Sequence, residues 1–351
     1  MTNENVIKNL FNNKNILVTG GLGSIGSGIV KELLKYNPRT IQVVDNRETE
    51  MHYSIVYNKH EKVRYYFIDI RDKDSVEKVM KNVDIVFHAA AMKHVLVCER
   101  NPFEAVQTNV LGTQNVIEGC IDNNVKKMIL ISTDKAVNPT NVMGTTKLLA
   151  EKIVAAMHNI KDKINTEFGV VRFGNVLYSR GSVLEIWEKQ LQKGEKITIT
   201  NPEMTRFFMG IPQSVELIFS ATYYAKNGEI FIFKMPSCKI GTLAEAYLEL
   251  KRYPRNYYTL IGEKEGEKTH EELLSKNESE FLMEKDKFFL KLPLKLKKSA
   301  MEHYKQIGFK KSEEGTFTSN NPKILLKKNQ IKQLLQEYLE TSLDKKGLRD
   351  I

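Results

Sequence analysis

The chain has 351 residues, 41% of them hydrophobic, enough for one large domain and a smaller lobe around a sizeable core. Its net charge of +10 is concentrated late, with sixteen Lys and Arg against nine Asp and Glu in residues 281–351. With no aromatic-interleaved basic motif, a solvated lysine-rich surface is expected there rather than a nucleic-acid or membrane partner. No run approaches the ~18 apolar residues of a membrane span, and the start MTNENVIKNLFNNKN lacks a signal-peptide layout. Cys98, Cys120 and Cys238 form neither a CxxC pair nor an even set, so buried thiols, a cytoplasmic location and no metal are expected.

From residue 15, short β-branched runs alternate with amphipathic stretches: NILVT, then 24–36; TIQVVD; VRYYFI, then 73–81; DIVFHAA, then 103–120; KKMILIST, then 143–159; and FGVVRF. This alternation predicts an α/β fold, a Rossmann-type doubly wound parallel sheet with helices on both faces. Ligands of such sheets sit beyond the carboxyl ends of the strands. After about residue 175, glycines and prolines punctuate shorter segments, as expected for a smaller C-terminal substrate-binding lobe. The boundaries read as 1–175 for a dinucleotide-binding domain and 176–351 for that lobe, interleaved with the end of the sheet. Residues 325–343 carry Leu and Ile at helical spacing and predict a terminal helix.

The first strand runs into Thr19-Gly20-Gly21-Leu22-Gly23-Ser24-Ile25-Gly26. Gly20 permits a tight turn, Gly23 lets backbone approach a pyrophosphate, and Gly26 lets the new helix pack on the strand, with Ser24 and Ile25 opening that helix toward the phosphates. Nineteen residues after Gly26 the second strand ends in Asp45, where a carboxylate accepts from the adenosine ribose hydroxyls. An acid there favours NAD; Arg47, able to turn toward a 2′-phosphate, keeps NADP as the alternative, or is a surface cation. Asp69, with Ile70 after it, closes the third run and either touches adenine or serves a turn or cap.

His88-Ala89-Ala90-Ala91, Asn109 in TNVLGTQNV, Lys147 in MGTTK and RFGNV at 172–176 resemble motifs of the extended short-chain dehydrogenase/reductases. HAAAMKHV, CERNPFEAVQTNVLGT, STDKAVNPTNVMGTTK, MTRFFM and GEKTHEELL resemble the polysaccharide-biosynthesis branch of that superfamily, the UDP-N-acetylglucosamine 4,6-dehydratases. The resemblance covers roughly residues 15–270. It implies Ala89 and Ala90 beside the cofactor and Lys147 on the nicotinamide ribose, the plain alternative for the latter being an exposed helix lysine. One departure stands out: Met143 occupies the position of the usual tyrosine, four residues before Lys147. A thioether has no proton to exchange, so another group must serve, and this substitution resembles the subgroup that retains configuration at C5.

The resemblance implies C4 oxidation, loss of water across C5–C6 and reduction at C6. Thr133 is the expected relay for the 4-hydroxyl proton. Lys135, neutral through a pKa depressed by burial and cationic surroundings, is the expected base at C5, and protonated Asp134 the acid for the departing C6 hydroxyl. Capping, or simple pairing with Lys135, is the alternative for Asp134. Lys93 contacts substrate or lies on the surface, and Met143 packs against the sugar or nicotinamide. Asn175 and Arg206 are expected on the pyrophosphate with Arg180 assisting, the backbone around Thr198 on uracil, and Glu267 on the nucleotide ribose; structural ion pairs are the alternative for Arg206 and Glu267. A homodimer or higher oligomer follows from the same resemblance. The competing readings are a sugar-nucleotide 4-epimerase, which needs no acid–base pair for elimination, and a catalytically inactive nucleotide-sugar-binding scaffold.

Overall fold

The computed structural model describes residues 4–293 and 298–343. Its frame is set by six strands: β1 (Asn15–Thr19), β2 (Thr40–Asp45), β3 (Val63–Phe67), β4 (Ile85–His88), β5 (Lys127–Thr133) and β6 (Glu167–Phe173). Three short strands, β7 (Asn175–Val176), β8 (Ile197–Ile199) and β9 (Thr205–Met209), precede β10 (Asn227–Phe233), which rejoins the frame. The parallel order is β3-β2-β1-β4-β5-β6-β10. Strands covered on both faces become continuous apolar runs, and Ile16, Leu17 and Val18 of β1 are fully buried. The order reverses between β1 and β4, which opens the crevice where such sheets bind ligands.

The expected helices lie between these strands. Ser24–Leu33 follows β1 and packs beside Ile211–Tyr224, while Lys73–Val79 packs beside Gly112–Asp122. The stretch expected as one helix over 103–120 is divided: Pro102–Val106, a π-helical turn at Gln107–Leu111, then Gly112–Asp122. The wide turn carries Asn109, whose buried amide accepts from the Met92 N–H (2.8 Å) and donates to the Met92 carbonyl (3.0 Å) and Thr146 hydroxyl (3.0 Å). The π-bulge thereby ties the loop after β4 to the helix Val142–Ala156.

The C-terminal half contributes to both parts of the molecule. Strands β11 (Ser237–Lys239), β12 (Tyr258–Leu260) and β13 (Glu272–Leu274) are followed by β14 (Leu282–Lys285) and β15 (Phe288–Lys291), a hairpin turning through Asp286 at φ 50°. With β16 (Lys310–Lys311), this hairpin extends the main sheet antiparallel from β10 to ten strands. Strands β11, β9 and β7 form a small sheet, β12 pairs with β8, and β17 (Phe317–Thr318) pairs with β13. A second core, centred on Trp187, Tyr247 and Leu335, lies under this part. Lys328–Leu343, inside the expected terminal helix, covers it, and its Tyr338 stacks on Tyr178 at 4.6 Å.

Buried charge joins the two regions. Arg172 on β6, fully buried, donates to both oxygens of Glu151, both oxygens of Glu278 and the Leu273 carbonyl. Lys291 completes the cluster on Glu278 at 2.8 Å.

Candidate active site

One cavity of about 1200 Å³ runs along the carboxyl ends of the strands, large enough for a dinucleotide and a nucleotide sugar together. Every site residue expected from the sequence lines it except Asp134, which lies behind its wall with no exposed surface.

At the reversal point the glycine loop and the end of β4 touch. Gly20 has φ 62°, and a Cβ there would stand 2.7 Å from the Ala90 backbone, so a side chain is excluded on two counts. The Ala89 and Ala90 N–H groups bond to the Thr19 carbonyl and hydroxyl. Beneath them His88 is buried between Thr19 (2.7 Å) and Thr113 (3.0 Å). Burial and the nearby Lys147 push its pKa down to about 3, so it is a neutral structural bridge. Gly23 caps the helix Ser24–Leu33 without a side-chain hydrogen bond, leaving its first N–H groups directed at the cavity. Bare glycine backbone, an uncapped helix start and a carboxylate at the end of β2 suit a dinucleotide.

The adenosine end differs in detail from the expectation. Asp45 is buried, accepts the Leu22 N–H at 3.0 Å, and is gripped by Arg47, whose Nε and second guanidinium nitrogen each stand 3.0 Å from a different carboxylate oxygen. Glu50 holds Arg47 from the other side at 3.5 Å. Asp69 lies beyond the end of β3, paired with Arg71 and bonded to Asn46, while Ile70 is buried against Gly112.

At the end of β5, Thr133 donates to Asp134 Oδ1 at 2.8 Å and Lys135 Nζ donates to the same oxygen at 2.9 Å. Lys135 also reaches Asn175 Oδ1 (3.2 Å) and lies 3.6 Å from Glu271 Oε1. Its charge state reverses the expectation. Burial works against the ammonium, but Asp134 and Glu271 outweigh both burial and Arg206 and hold Lys135 above the ordinary lysine range. The resting side chain is charged, because two carboxylates and one guanidinium surround it instead of cations alone.

Lys147, one helical turn beyond Met143, donates to the Ile131 carbonyl at 2.6 Å. Burial, partly offset by Glu151, lowers its pKa to about 8. Met143 lines the cavity wall, buried against Cys98 and Ala105. Burial raises the Cys98 thiol to about 11, which removes it as a nucleophile.

The substrate-side residues come together, several with partners already in place. Lys93 donates to the Arg180 carbonyl, and the Arg180 N–H donates to Ser24 Oγ at 2.9 Å, so this loop bridges the cofactor loop and Lys93. Burial, opposed by Glu185, together with Arg180 and Arg47 holds Lys93 below the ordinary lysine range. Arg206 turns its guanidinium to the Thr205 (2.8 Å) and Thr269 (3.2 Å) carbonyls, with Nε 3.8 Å from Glu271. The Thr198 N–H and carbonyl, expected to be open to a base, are taken by the side chains of Gln190 (3.0 Å) and Trp187 (2.8 Å). Glu267 closes a turn on Lys264 at the cavity edge.

Glu271 was not singled out from the sequence. It lies four residues beyond Glu267 in the string GEKTHEELL, and one more acid in a polar loop carries no signal of its own. Folding brings it 136 positions back to Lys135.

Among the described residues no group of His, Cys, Asp and Glu is arranged to hold a metal ion, and no helix is long and apolar enough to cross a membrane. The strand order, the glycine cradle and the lysine on the helix after β5 define an extended short-chain dehydrogenase/reductase. The family described as polysaccharide biosynthesis protein matches residues 16–292. A relative from Methanocaldococcus jannaschii, named an uncharacterized membrane protein, is 47% identical over 94% of this chain and 98% of its own. A UDP-N-acetylglucosamine 4,6-dehydratase (inverting) from Campylobacter jejuni is 42% identical over 80% of this chain and 83% of its own. A UDP-glucose 4-epimerase from Rickettsia typhi is 37% identical over 95% and 99%. The crystal structure of Pen from Bacillus thuringiensis superposes with a TM-score of 0.85 at 37% identity, covering 93% of this chain and 99% of that one. The chain belongs to the polysaccharide biosynthesis protein family, among the sugar-nucleotide dehydratases and epimerases.

Proposed function

We propose that this protein is a 4,6-dehydratase that converts UDP-N-acetylglucosamine to the UDP-linked 4-keto-6-deoxy sugar for surface-glycan synthesis, using NAD. The observation that carries the reading is the Thr133–Asp134–Lys135 relay, a buried carboxylate and an ammonium 2.9 Å apart at the cavity that the glycine cradle also lines. An epimerase has no use for that pair, whereas elimination across C5–C6 needs both. NAD is favoured over NADP because Arg47 is held by Asp45 and Glu50 and would have to abandon both to meet a 2′-phosphate.

Gly20, Gly23, Ser24, Ile25 and Gly26 would hold the pyrophosphate, Asp45 and Arg47 the adenosine ribose, Asp69 and Ile70 the adenine edge, and Lys147 the nicotinamide ribose. Bound nicotinamide supplies reversible hydride transfer, first at C4 and last at C6. Thr133 passes the 4-hydroxyl proton to the Asp134 carboxylate, with which it already shares a hydrogen bond. The C4 ketone then acidifies C5–H, and Lys135 in its amine form takes that proton. Asp134, which has no exposed surface, gives its proton back through Thr133, which lines the cavity, to the C6 hydroxyl, which leaves as water. Lys135 returns its proton to C5. Because one residue removes and returns the proton, the exchange occurs on one face, which retains configuration at C5. The inverting designation of the Campylobacter jejuni relative points the other way, so C5 configuration is part of the test. Met143 needs no proton in this scheme and packs beside the sugar; Lys93, Asn175, Arg180, Arg206, Thr198 and Glu267 form the substrate side. The lodged donors of Arg206 give it the supporting task of holding Glu271.

The second reading, 4-epimerisation, is supported by the Rickettsia typhi relative, which matches nearly the whole chain. Incubation of the purified protein with UDP-N-acetylglucosamine separates the readings. A product lighter by one water supports dehydration, an isobaric product supports epimerisation, and binding without turnover supports an inactive scaffold. In deuterated water, a D-configured product carrying deuterium at C5 supports retention, and an L-configured product refutes it. Light scattering tests the expected homodimer.

A further inference from the structure

We propose that Glu271 is the proton-holding partner of Lys135: it accepts the proton Lys135 must shed to become a base, and so acts through Lys135 as a positioning residue in the dehydration proposed above. The resting site poses the problem. Lys135 is held as an ammonium, yet abstraction at C5 requires the amine, and a cavity filled by substrate offers no bulk water to take the extra proton. Asp134 cannot take it, because that carboxylate receives the 4-hydroxyl proton and must still deliver it to the C6 hydroxyl. Two protons therefore need two acceptors.

The geometry supplies the second. Glu271 Oε1 lies 3.6 Å from Lys135 Nζ, one small side-chain adjustment from a hydrogen bond. Its side chain is 4% exposed and lines the same cavity. Arg206 Nε, 3.8 Å away, holds it from behind, and its N–H is fixed on Ser319 Oγ at 2.8 Å. Asp134 Oδ2 and Glu271 Oε2 are both buried with no hydrogen-bond partner among the described residues. The transferred protons arrive at Asp134 Oδ1 and Glu271 Oε1, the oxygens nearest Thr133 and Lys135, and the second oxygen of each carboxylate accepts from no donor that the transfer would have to displace.

The steps balance. The 4-hydroxyl proton moves through Thr133 to Asp134, and neutralising Asp134 removes one of the two carboxylates that hold Lys135 charged. The Lys135 proton then moves to Glu271. The C5–H bond breaks toward the Lys135 amine, its electron pair forms the C5–C6 double bond, the C6–O bond breaks, and Asp134 protonates the departing hydroxyl through Thr133. With the hydride that a bound nicotinamide would supply at C6, Lys135 protonates C5. Glu271 then gives its proton back to Lys135, restoring the resting pair.

The test uses the full chain loaded with NAD and UDP-N-acetylglucosamine in deuterated water. C4 oxidation is followed by reduced-nicotinamide absorbance in a single turnover, and C5 deuteration by mass spectrometry of the sugar. In Glu271→Gln the ratio of C5 exchange to C4 oxidation is expected to fall about 100-fold, the scale of a lost proton acceptor. The residual exchange should rise with pH, as hydroxide replaces the missing carboxylate, and Glu271→Asp should recover exchange about tenfold or more over the Gln variant. An unchanged ratio, a pH-independent loss or an absence of recovery overturns the inference. Should Glu271→Gln not fold, Glu271→Asp is compared with wild type: a lowered ratio supports the proposal, and an equal fall of both steps overturns it. Failure of the underlying reading looks different, because wild-type protein would then release no product lighter by one water.

Discussion

Replacing Lys147 with Met should make the cofactor-free protein relatively more stable at neutral pH and destroy its affinity for the dinucleotide. The Lys147 ammonium is buried, and its pKa falls from 10.5 to about 8 chiefly through burial. In the unfolded chain the group titrates near its ordinary value, so between the two pKa values the unfolded state binds the extra proton. Carrying the charge in the fold therefore costs about 3 kcal/mol at pH 7, falling below about 1 kcal/mol at pH 10, where the folded-state group is already neutral and the unfolded one is within a unit of its own pKa. Met fills similar volume without the charge but leaves the Ile131 carbonyl, now bonded at 2.6 Å, without its donor, at about 1–3 kcal/mol independent of pH. The pH dependence is thus the clean signature. In urea unfolding of the apo proteins, the stability of Lys147→Met relative to wild type should decline by about 2–3 kcal/mol between pH 7 and pH 10. A difference that is flat, or that grows with pH, refutes the reasoning. Calorimetric titration with NAD should show binding to wild type and none to the variant.

Arg172→Met strands Glu151 and loosens Glu278, so it should lower stability by about 3–5 kcal/mol, read as a shift of the urea midpoint. Burial opposes the Glu278 charge, but Arg172 and Lys291 hold its pKa far below the usual carboxylate range. The stability it contributes is present above the unfolded-state value of about 4.3 and lost as pH falls toward the lower folded value. The acid limb of wild-type unfolding should therefore flatten in Arg172→Met. Asp45→Asn releases Arg47 and should raise the preference for NADP over NAD about tenfold or more, measured as a ratio of dissociation constants; an unchanged ratio would show that Arg47 does not face the 2′ position. Met143→Ala should cost about 2–4 kcal/mol of stability yet keep turnover within about tenfold of wild type, because the thioether carries no proton. Near-complete inactivation of a folded variant would contradict the mechanism.

Local pattern made the first half of the fold legible. NILVT and TIQVVD are β1 and β2 to the residue, and the turn at Gly20 could be read from the glycine spacing after β1, although the backbone that bars a side chain there belongs to Ala89 and Ala90 after β4. The helix Glu48–Tyr57 was not legible, because exposed Tyr53, Ile55, Val56 and Tyr57 leave only Met51 and Ser54 buried and blur the apolar stripe. Nor were β10 and the β14–β15 hairpin legible as members of the main sheet. Pairing of β10 with β6, more than fifty residues earlier, leaves no periodic trace in the chain. The site shows the same division. Thr133, Asp134 and Lys135 are adjacent and were legible as a unit, whereas the charge on Lys135 depends, after Asp134, on Glu271, which only the folded chain brings near. The open Arg206 expected from the motif MTRFFM is likewise altered by the Thr205 and Thr269 carbonyls, whose position depends on how β9 meets the segment before β13.

Two buried charge clusters flank β5 and β6, and their degree of satisfaction separates structure from chemistry. Around Arg172, all four oxygens of Glu151 and Glu278 have donors. Such a network has one low-energy protonation state and resists any other, which suits a fixed joint between the sheet and the C-terminal half. Around Lys135, two cations face two carboxylates, but Asp134 Oδ2 and Glu271 Oε2 lack partners and the contacts to Glu271 are 3.6 and 3.8 Å. A buried acceptor left without a donor costs stability, and two such acceptors beside Lys135 suit a site that takes up protons during function. It also accounts for Met143. On the proposed route through Thr133, Asp134, Lys135 and Glu271, a phenol at position 143 would have no proton to carry, and the position holds an apolar side chain packed on Cys98 and Ala105.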